Sequence, residues 1–242
     1  MFFNPMYFVF AIPGLLLALW AQYQVKSTFA KYAKVPTSGG VTGRDALGRM
    51  GYARGVNGAD VAKLLMRQTG VSVGLTNVPG KLTDHYDPRT KTIALSETSQ
   101  QDSVASVAVV AHEFGHAMQD AENYTPLKLR GAIVPAVQIG SWVGPIIFIA
   151  GMWLQSTTLA WLGVIGFGLT ALFALVTLPV EFDASSRALK LLQGNNILVG
   201  EELSGAKKVL DAAALTYIAA AAQSILTLLY YVSLLGGFRR RE

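Results

Sequence analysis

Two histidines four residues apart enclose a glutamate in the run His112-Glu113-Phe114-Gly115-His116. On a helix that spacing puts both imidazoles on one face, about one turn apart, where they can share a metal ion. Glu113 follows the first of them, beside the place where a water activated by zinc would lie. There it can act as general base, taking the water's proton and passing it to a leaving amine. The pattern fixes only three residue types, so it recurs by chance, and its context has to decide. The chain has three histidines, and two of them are in the motif. The run 104–111 that precedes it is apolar, so the helix is expected to be buried. Two imidazoles on a buried helix would be costly without a partner.

A catalytic zinc takes three protein ligands and keeps one position open. The chain has no cysteine, which excludes disulfides and thiolate zinc sites. The third ligand is therefore His85 or a carboxylate. Glu122 stands where a metzincin would have its third histidine, and Gln119 where it would have glycine. Glu181 and Asp183 open a polar segment just after an apolar span, on the expected side of the membrane, and either is well placed to complete the site. Imidazole and carboxylate suit zinc, iron or cobalt; the motif favours Zn2+.

The elements that must position these residues are read from hydropathy. Of 242 residues 52% are hydrophobic and only 14% charged, with mean hydropathy +0.39. A soluble domain carries about 25% charged residues. Four stretches, 2–23, 132–154, 159–180 and 213–235, have the roughly 20 apolar residues that a membrane helix needs. No Lys or Arg precedes the first, so it is expected to be a span and not a cleaved leader. The short link 155–158 makes the second and third spans a hairpin, which returns the chain to the side it left. The layout is a first transmembrane helix (1–24), a polar catalytic region with the motif helix (25–131), a transmembrane hairpin (132–180), a polar segment opening with Glu181 and Asp183 (181–212), and a fourth transmembrane helix with a basic tail (213–242). The fold class expected is a mainly α membrane protein with a small α+β region holding a small sheet.

The first polar region holds 13 Lys and Arg and the second 4. Positive residues mark the cytoplasmic side, so both are expected there. Four crossings would put Arg239, Arg240 and Arg241 outside, against that rule; either the fourth span does not cross, or the tail tolerates its position. The net charge of +5 is explained by loops flanking membrane helices. No basic patch is interleaved with aromatics, and nucleic-acid binding is not expected.

Within the first polar region, 57–68 reads as a short helix capped by Asn57 or Asp60 and ended by Gly70. Residues 71–75 and 91–96 read as strands, and 77–80 as a turn. The motif helix is expected over 101–122, with Ser103 as its cap.

The segments Leu82-Thr83-Asp84-His85-Tyr86-Asp87-Pro88, Leu95-Ser96-Glu97, Ala111 to Gln119, Glu181-Phe182-Asp183-Ala184-Ser185 and Ala214-Leu215-Thr216-Tyr217 resemble the neutral zinc metallopeptidases of bacterial membranes, the YugP type. The resemblance covers nearly the whole chain. It implies a gluzincin-like, membrane-bound peptidase with Glu181 as third ligand. More distantly the chain is similar to peptidases with an E-x-x-A-D motif, where Ala184 matches and Ser185 replaces the aspartate. Asp183 is then a candidate for an outer hydrogen bond to a ligand histidine, although on a regular helix it points about 200° away from Glu181. In gluzincin-like folds the strand leading into the motif helix binds substrate by β-addition, which makes Ile93, Ala94, Leu95 and Ser96 the expected substrate edge. His85, Tyr86 or Tyr217 could donate to an oxyanion. Asp84, His85 and Asp87 equally suit a turn before Pro88, and Tyr217 an interfacial anchor.

These readings give a zinc metalloendopeptidase acting on peptides or membrane-protein substrates in the lipid bilayer, in a bacterial inner membrane with its site on the cytoplasmic side. Two alternatives remain. A site-two-type intramembrane protease would need the motif inside a span, and the apolar run before His112 is too short. A non-catalytic zinc-binding scaffold would fill all four metal positions and would not need Glu113.

Overall fold

The computed structural model describes residues 5–38 and 56–238. Residues 1–4 of the first span and the basic tail Arg239 to Arg241 lie outside them. Six α-helices are described: α1 (Pro5–Tyr32), α2 (Gly58–Thr69), α3 (Val104–Ala121), α4 (Thr125–Trp153), α5 (Thr157–Gly194) and α6 (Gly200–Phe238). Three short strands, β1 (Gly74–Asn77), β2 (His85–Asp87) and β3 (Thr92–Leu95), lie between α2 and α3. This is a mainly α membrane protein with a small mixed sheet.

The chain forms two compact units. One is built from the described parts of 1–22, 125–179 and 215–242. Its helices belong to the four, α1, α4, α5 and α6, that are long and apolar enough to cross a membrane. On α4, Ile139, Trp142, Ile146, Ile149 and Trp153 repeat at helical spacing, and all are exposed, Trp153 at 82%. Water would not tolerate an apolar stripe of that size; lipid does. The hairpin helices α4 and α5 touch backbone to backbone. A Cβ on Gly163 would lie 2.4 Å from the Phe148 nitrogen, so a small residue is needed for that approach.

The other unit comprises 23–124 and 180–214. Here α3 is the central element. Val104, Ala105, Val107, Ala108, Val110, Ala111 and Phe114 are all fully buried, which covers most of its circumference. Val61 and Leu65 of α2, Ile93 and Leu95 of β3, Ala188 and Leu192 of α5, and Ala206 and Leu210 of α6 pack in the same core. The helix starts at Val104, not at the expected 101, and its cap is the expected Ser103, which accepts from the Ser106 N–H at 3.2 Å. Asn57 caps α2 by accepting from the Asp60 N–H at 3.0 Å, and Gly70 ends it with φ 73°. Such caps satisfy N–H groups that the first turn leaves without partners.

The sheet order is β1-β3-β2, with β1 parallel and β2 antiparallel to β3. This corrects one expectation. Strand β3 is the middle strand, bonded on both sides, so Ile93, Ala94 and Leu95 offer no free backbone edge to a substrate. Ser96 is fully buried, and its N–H and hydroxyl both donate to Asp84, at 2.7 and 2.6 Å. The edge strands are β1 and β2, and the sequence of β2 reads equally well as a turn. The strand expected over 71–75 forms instead at 74–77.

Candidate metal centre and catalytic base

The buried apolar ring of α3 leaves one stripe for polar groups, and His112, Glu113, His116 and Asp120 lie along it. Opposite runs α5, in a stretch that begins directly after Pro179. Glu181, only 2% exposed, points into the stripe. Its Oε2 lies 3.2 Å from His112 Nε2 and 3.6 Å from His116 Nε2. The two imidazoles are 4.8 Å apart between centroids and nearly perpendicular, at 84°. Among the described residues, His112, His116 and Glu181 form the group able to hold a metal, their ligand atoms all within 4.8 Å of one another.

The donor set fits zinc. Both histidines turn Nε2 inward and use Nδ1 elsewhere, as metal-bound imidazoles do. His112 Nδ1 meets the Ser185 hydroxyl at 3.1 Å, and His116 Nδ1 meets Gln119 Oε1 at 2.9 Å. Two nitrogens and one carboxylate oxygen leave a tetrahedral ion one open position.

A family profile described as "Putative neutral zinc metallopeptidase" matches residues 46–236. The chain belongs to this family. It is 42% identical over 230 residues to a Bacillus subtilis (strain 168) protein named "Putative membrane protease YugP", an alignment covering 94% of this chain and 96% of that one. No solved structure matches. Together with four helices able to cross a membrane, these relatives make the chain an integral membrane protein of a zinc-peptidase family.

Close approach of α3 to α5 makes the convergence on Glu181 possible. A Cβ on Gly115 would lie 2.5 Å from the Ala184 carbonyl oxygen and 3.1 Å from the Ala184 Cα. Only glycine lets the motif helix come near enough for Glu181 to reach both histidines.

Glu113, close enough to His112, His116 and Glu181 for their charges to act on it, also reaches β2. Its Oε2 accepts from the Tyr86 N–H at 2.9 Å. Tyr86 lies opposite Ile93 in the antiparallel pair. Because its N–H goes to Glu113, Tyr86 occupies a position whose backbone groups face away from β3, as every second residue of such a pair must. The carboxylate of the motif therefore stands at the β2 edge of the sheet. Burial pushes the Glu113 carboxyl up, the nearby Glu181 adds to this, and the two histidines oppose it. Burial alone would lower His116; hydrogen bonding to Glu181 and the Glu113 and Glu181 charges outweigh it and hold the imidazole above its ordinary value.

Strand β2 is held firmly. Asp84 accepts from the Ser96 N–H, the Ser96 hydroxyl and, at 2.5 Å, the Ser99 hydroxyl. The Tyr86 hydroxyl donates to Asp120 at 2.6 Å, and Lys91 pairs with the same carboxylate. Burial, then the Asp120 hydrogen bond and charge, push the Tyr86 phenol up.

Other candidates fall elsewhere. His85 is exposed on β2, with Nδ1 2.9 Å from the Thr83 carbonyl, and is not part of the ligand group. Asp183 does not bond a histidine directly. It accepts from Gln119 Nε2 at 2.8 Å and pairs with Arg187 at 2.6 Å, so its expected role is corrected to one acting at a remove. The angle along α5 explains this: Ser185, four residues after Glu181, shares its face, and Asp183 does not. Tyr217 belongs to the unit containing the membrane helices. Sequence reasoning missed Gln119 and Ser185 as partners of the ligands. Spacing offered a clue for Gln119 alone, three residues after His116.

Proposed function

We propose that the chain is a membrane-bound zinc endopeptidase whose metal is held by His112, His116 and Glu181 and whose general base is Glu113. The observation that carries this reading is the convergence of both motif imidazoles on Glu181, with Glu113 near them and bonded to the Tyr86 N–H of edge strand β2. When bound, zinc would supply a Lewis acid that activates water and polarises the scissile carbonyl. Glu113, once ionised, takes the proton from the attacking water and carries it to the amine nitrogen as the C–N bond breaks. The Tyr86 N–H holds its carboxylate in place. The substrate is an extended peptide segment that lies along the outer edge of β2, with the Tyr86 carbonyl accepting from its main chain. His85, on β2, is the candidate donor to the oxyanion.

The 13 Lys and Arg of residues 25–131 support a cytoplasmic site at a bacterial inner membrane, and membrane-protein loops as substrates. Because the chain has no cysteine, a single Lys81→Cys variant reports the side cleanly. Labelling by an impermeant maleimide only after permeabilisation supports a cytoplasmic site; labelling of intact cells refutes it.

The test of function is metal content and peptide cleavage of the parent, Glu181→Ala and Glu113→Gln. One zinc per parent chain is expected, lost with activity in Glu181→Ala. Glu113→Gln should keep zinc and lose cleavage by about 10²-fold or more. Full activity in Glu113→Gln would sink the catalytic reading and leave a zinc-binding scaffold.

A further inference from the structure

Gln119 is the most fully buried polar side chain next to the site, with no exposed surface. Its amide makes three hydrogen bonds. The Nε2 group donates to the Val180 carbonyl and to Asp183 Oδ2, both at 2.8 Å, and Oε1 meets His116 Nδ1 at 2.9 Å. We infer that Gln119 is a positioning residue that fixes the His116 tautomer for metal binding and, through Val180 and Asp183, locks the ligand-bearing stretches of α3 and α5 together.

The argument is one of donors and acceptors. A main-chain carbonyl and a carboxylate can only accept. The amide nitrogen must therefore face Val180 and Asp183, since an oxygen there would set acceptor against acceptor in a buried place. That leaves Oε1 turned to His116, and an amide oxygen can only accept. His116 must then carry a hydrogen on Nδ1, at the shorter of its two contacts (2.9 Å against 3.6 Å to Glu181), which makes Nε2 the nitrogen that gives up its hydrogen to a metal. Asp183 is itself oriented by Arg187, which donates from Nε to Asp183 and from Nη1 to Glu122, both at 2.6 Å. Orientation thus passes from Arg187 through Asp183 and Gln119 to the ligand. A neutral amide also makes the imidazole less electron-rich than a carboxylate partner would, because it withdraws the Nδ1 proton less strongly.

This inference rests on the metal reading above, and its experiment separates the two. The full-length protein in detergent is compared with Gln119→Met, which keeps length and apolar packing but offers His116 no strong acceptor. Zinc affinity is measured by competition with a chromophoric chelator. The protonation of the imidazoles is read by nitrogen NMR, which is tractable with three histidines. Metal-free parent, at a pH where the ring is neutral, is expected to hold His116 as the Nδ1–H tautomer. Gln119→Met is expected to lose that preference and to bind zinc 10- to 100-fold more weakly. Zinc on the parent with affinity unchanged in Gln119→Met overturns this inference alone. No zinc on the parent overturns the metal reading and this one with it. Because the parent's own tautomer is measured, a variant that fails to fold leaves a decisive result: the Nε2–H form, or an even mixture, refutes the assignment.

Discussion

Gly115→Ala is the smallest change that tests how the site is built. In the interior of a helix this substitution ordinarily stabilises by about 0.5–1 kcal/mol, because glycine loses more backbone freedom on folding. Here the added Cβ would lie 2.5 Å from the Ala184 carbonyl oxygen, and ordinary contact begins at 3.4 Å. Restoring it requires α3 and α5 to part by about 0.9 Å at the level of the ligands. Overpacking of this kind costs about 1–3 kcal/mol, so the expected net effect on stability is destabilising or near zero, not the usual gain. Function is hit harder. Glu181 reaches the two imidazoles at 3.2 and 3.6 Å, and a misplacement of about 1 Å in a reacting constellation costs about 10²-fold. Zinc affinity by chelator competition, and cleavage at saturating zinc, would both be measured. The expected result is at least a tenfold loss of affinity, with cleavage reduced further. A variant that keeps both within twofold of the parent would refute the claim that backbone contact between α3 and α5 sets the ligand geometry.

Ser185→Ala leaves His112 Nδ1 without the hydroxyl 3.1 Å away; zinc affinity by the same competition should fall about tenfold. Asp84→Ala strips partners from the Ser96 N–H and from the Ser96 and Ser99 hydroxyls; denaturant titration should show a loss of about 1–3 kcal/mol. The His116 value is raised above 6.5 in the metal-free protein. Its charged pairing with Glu181 should therefore stabilise that form fully below about pH 6.5, and the contribution should be lost as pH rises through the raised value. Zinc must displace that proton, so apparent zinc affinity should weaken about tenfold per pH unit below the raised value for each proton displaced; an affinity independent of pH between 5 and 8 would contradict the assignment of His116 as a ligand.

The parts of this molecule that were legible in its sequence are those fixed by local periodicity. Spans show as apolar length, and α2 and α3 show their caps in Asn57, Gly70 and Ser103. His112 and His116 share a face because 3.6 residues make a turn. Glu181 was reachable because it follows a span directly, and resemblance singled it out from Asp183. The order of the strands was not legible. Its decisive element, β2, has three residues and carries Asp87 just before Pro88, so composition favours a turn; only pairing with β3 makes it a strand.

The same reasoning explains why Gln119 and Ser185 escaped notice while Asp183 did not. A carboxylate near a histidine suggests an ion pair from sequence alone, because charge acts at a distance and needs little geometry. An amide or a hydroxyl acts only within hydrogen-bond reach and in one orientation. Whether Gln119 faces His116 depends on Val180 and Asp183 accepting from its other end, and those residues are 61 and 64 positions away. The site is therefore assembled in two ways. Its candidate ligands are set by spacing along α3 and by the entry of α5, and the proposed His116 tautomer by an amide whose role exists only once α3 and α5 are in contact at Gly115.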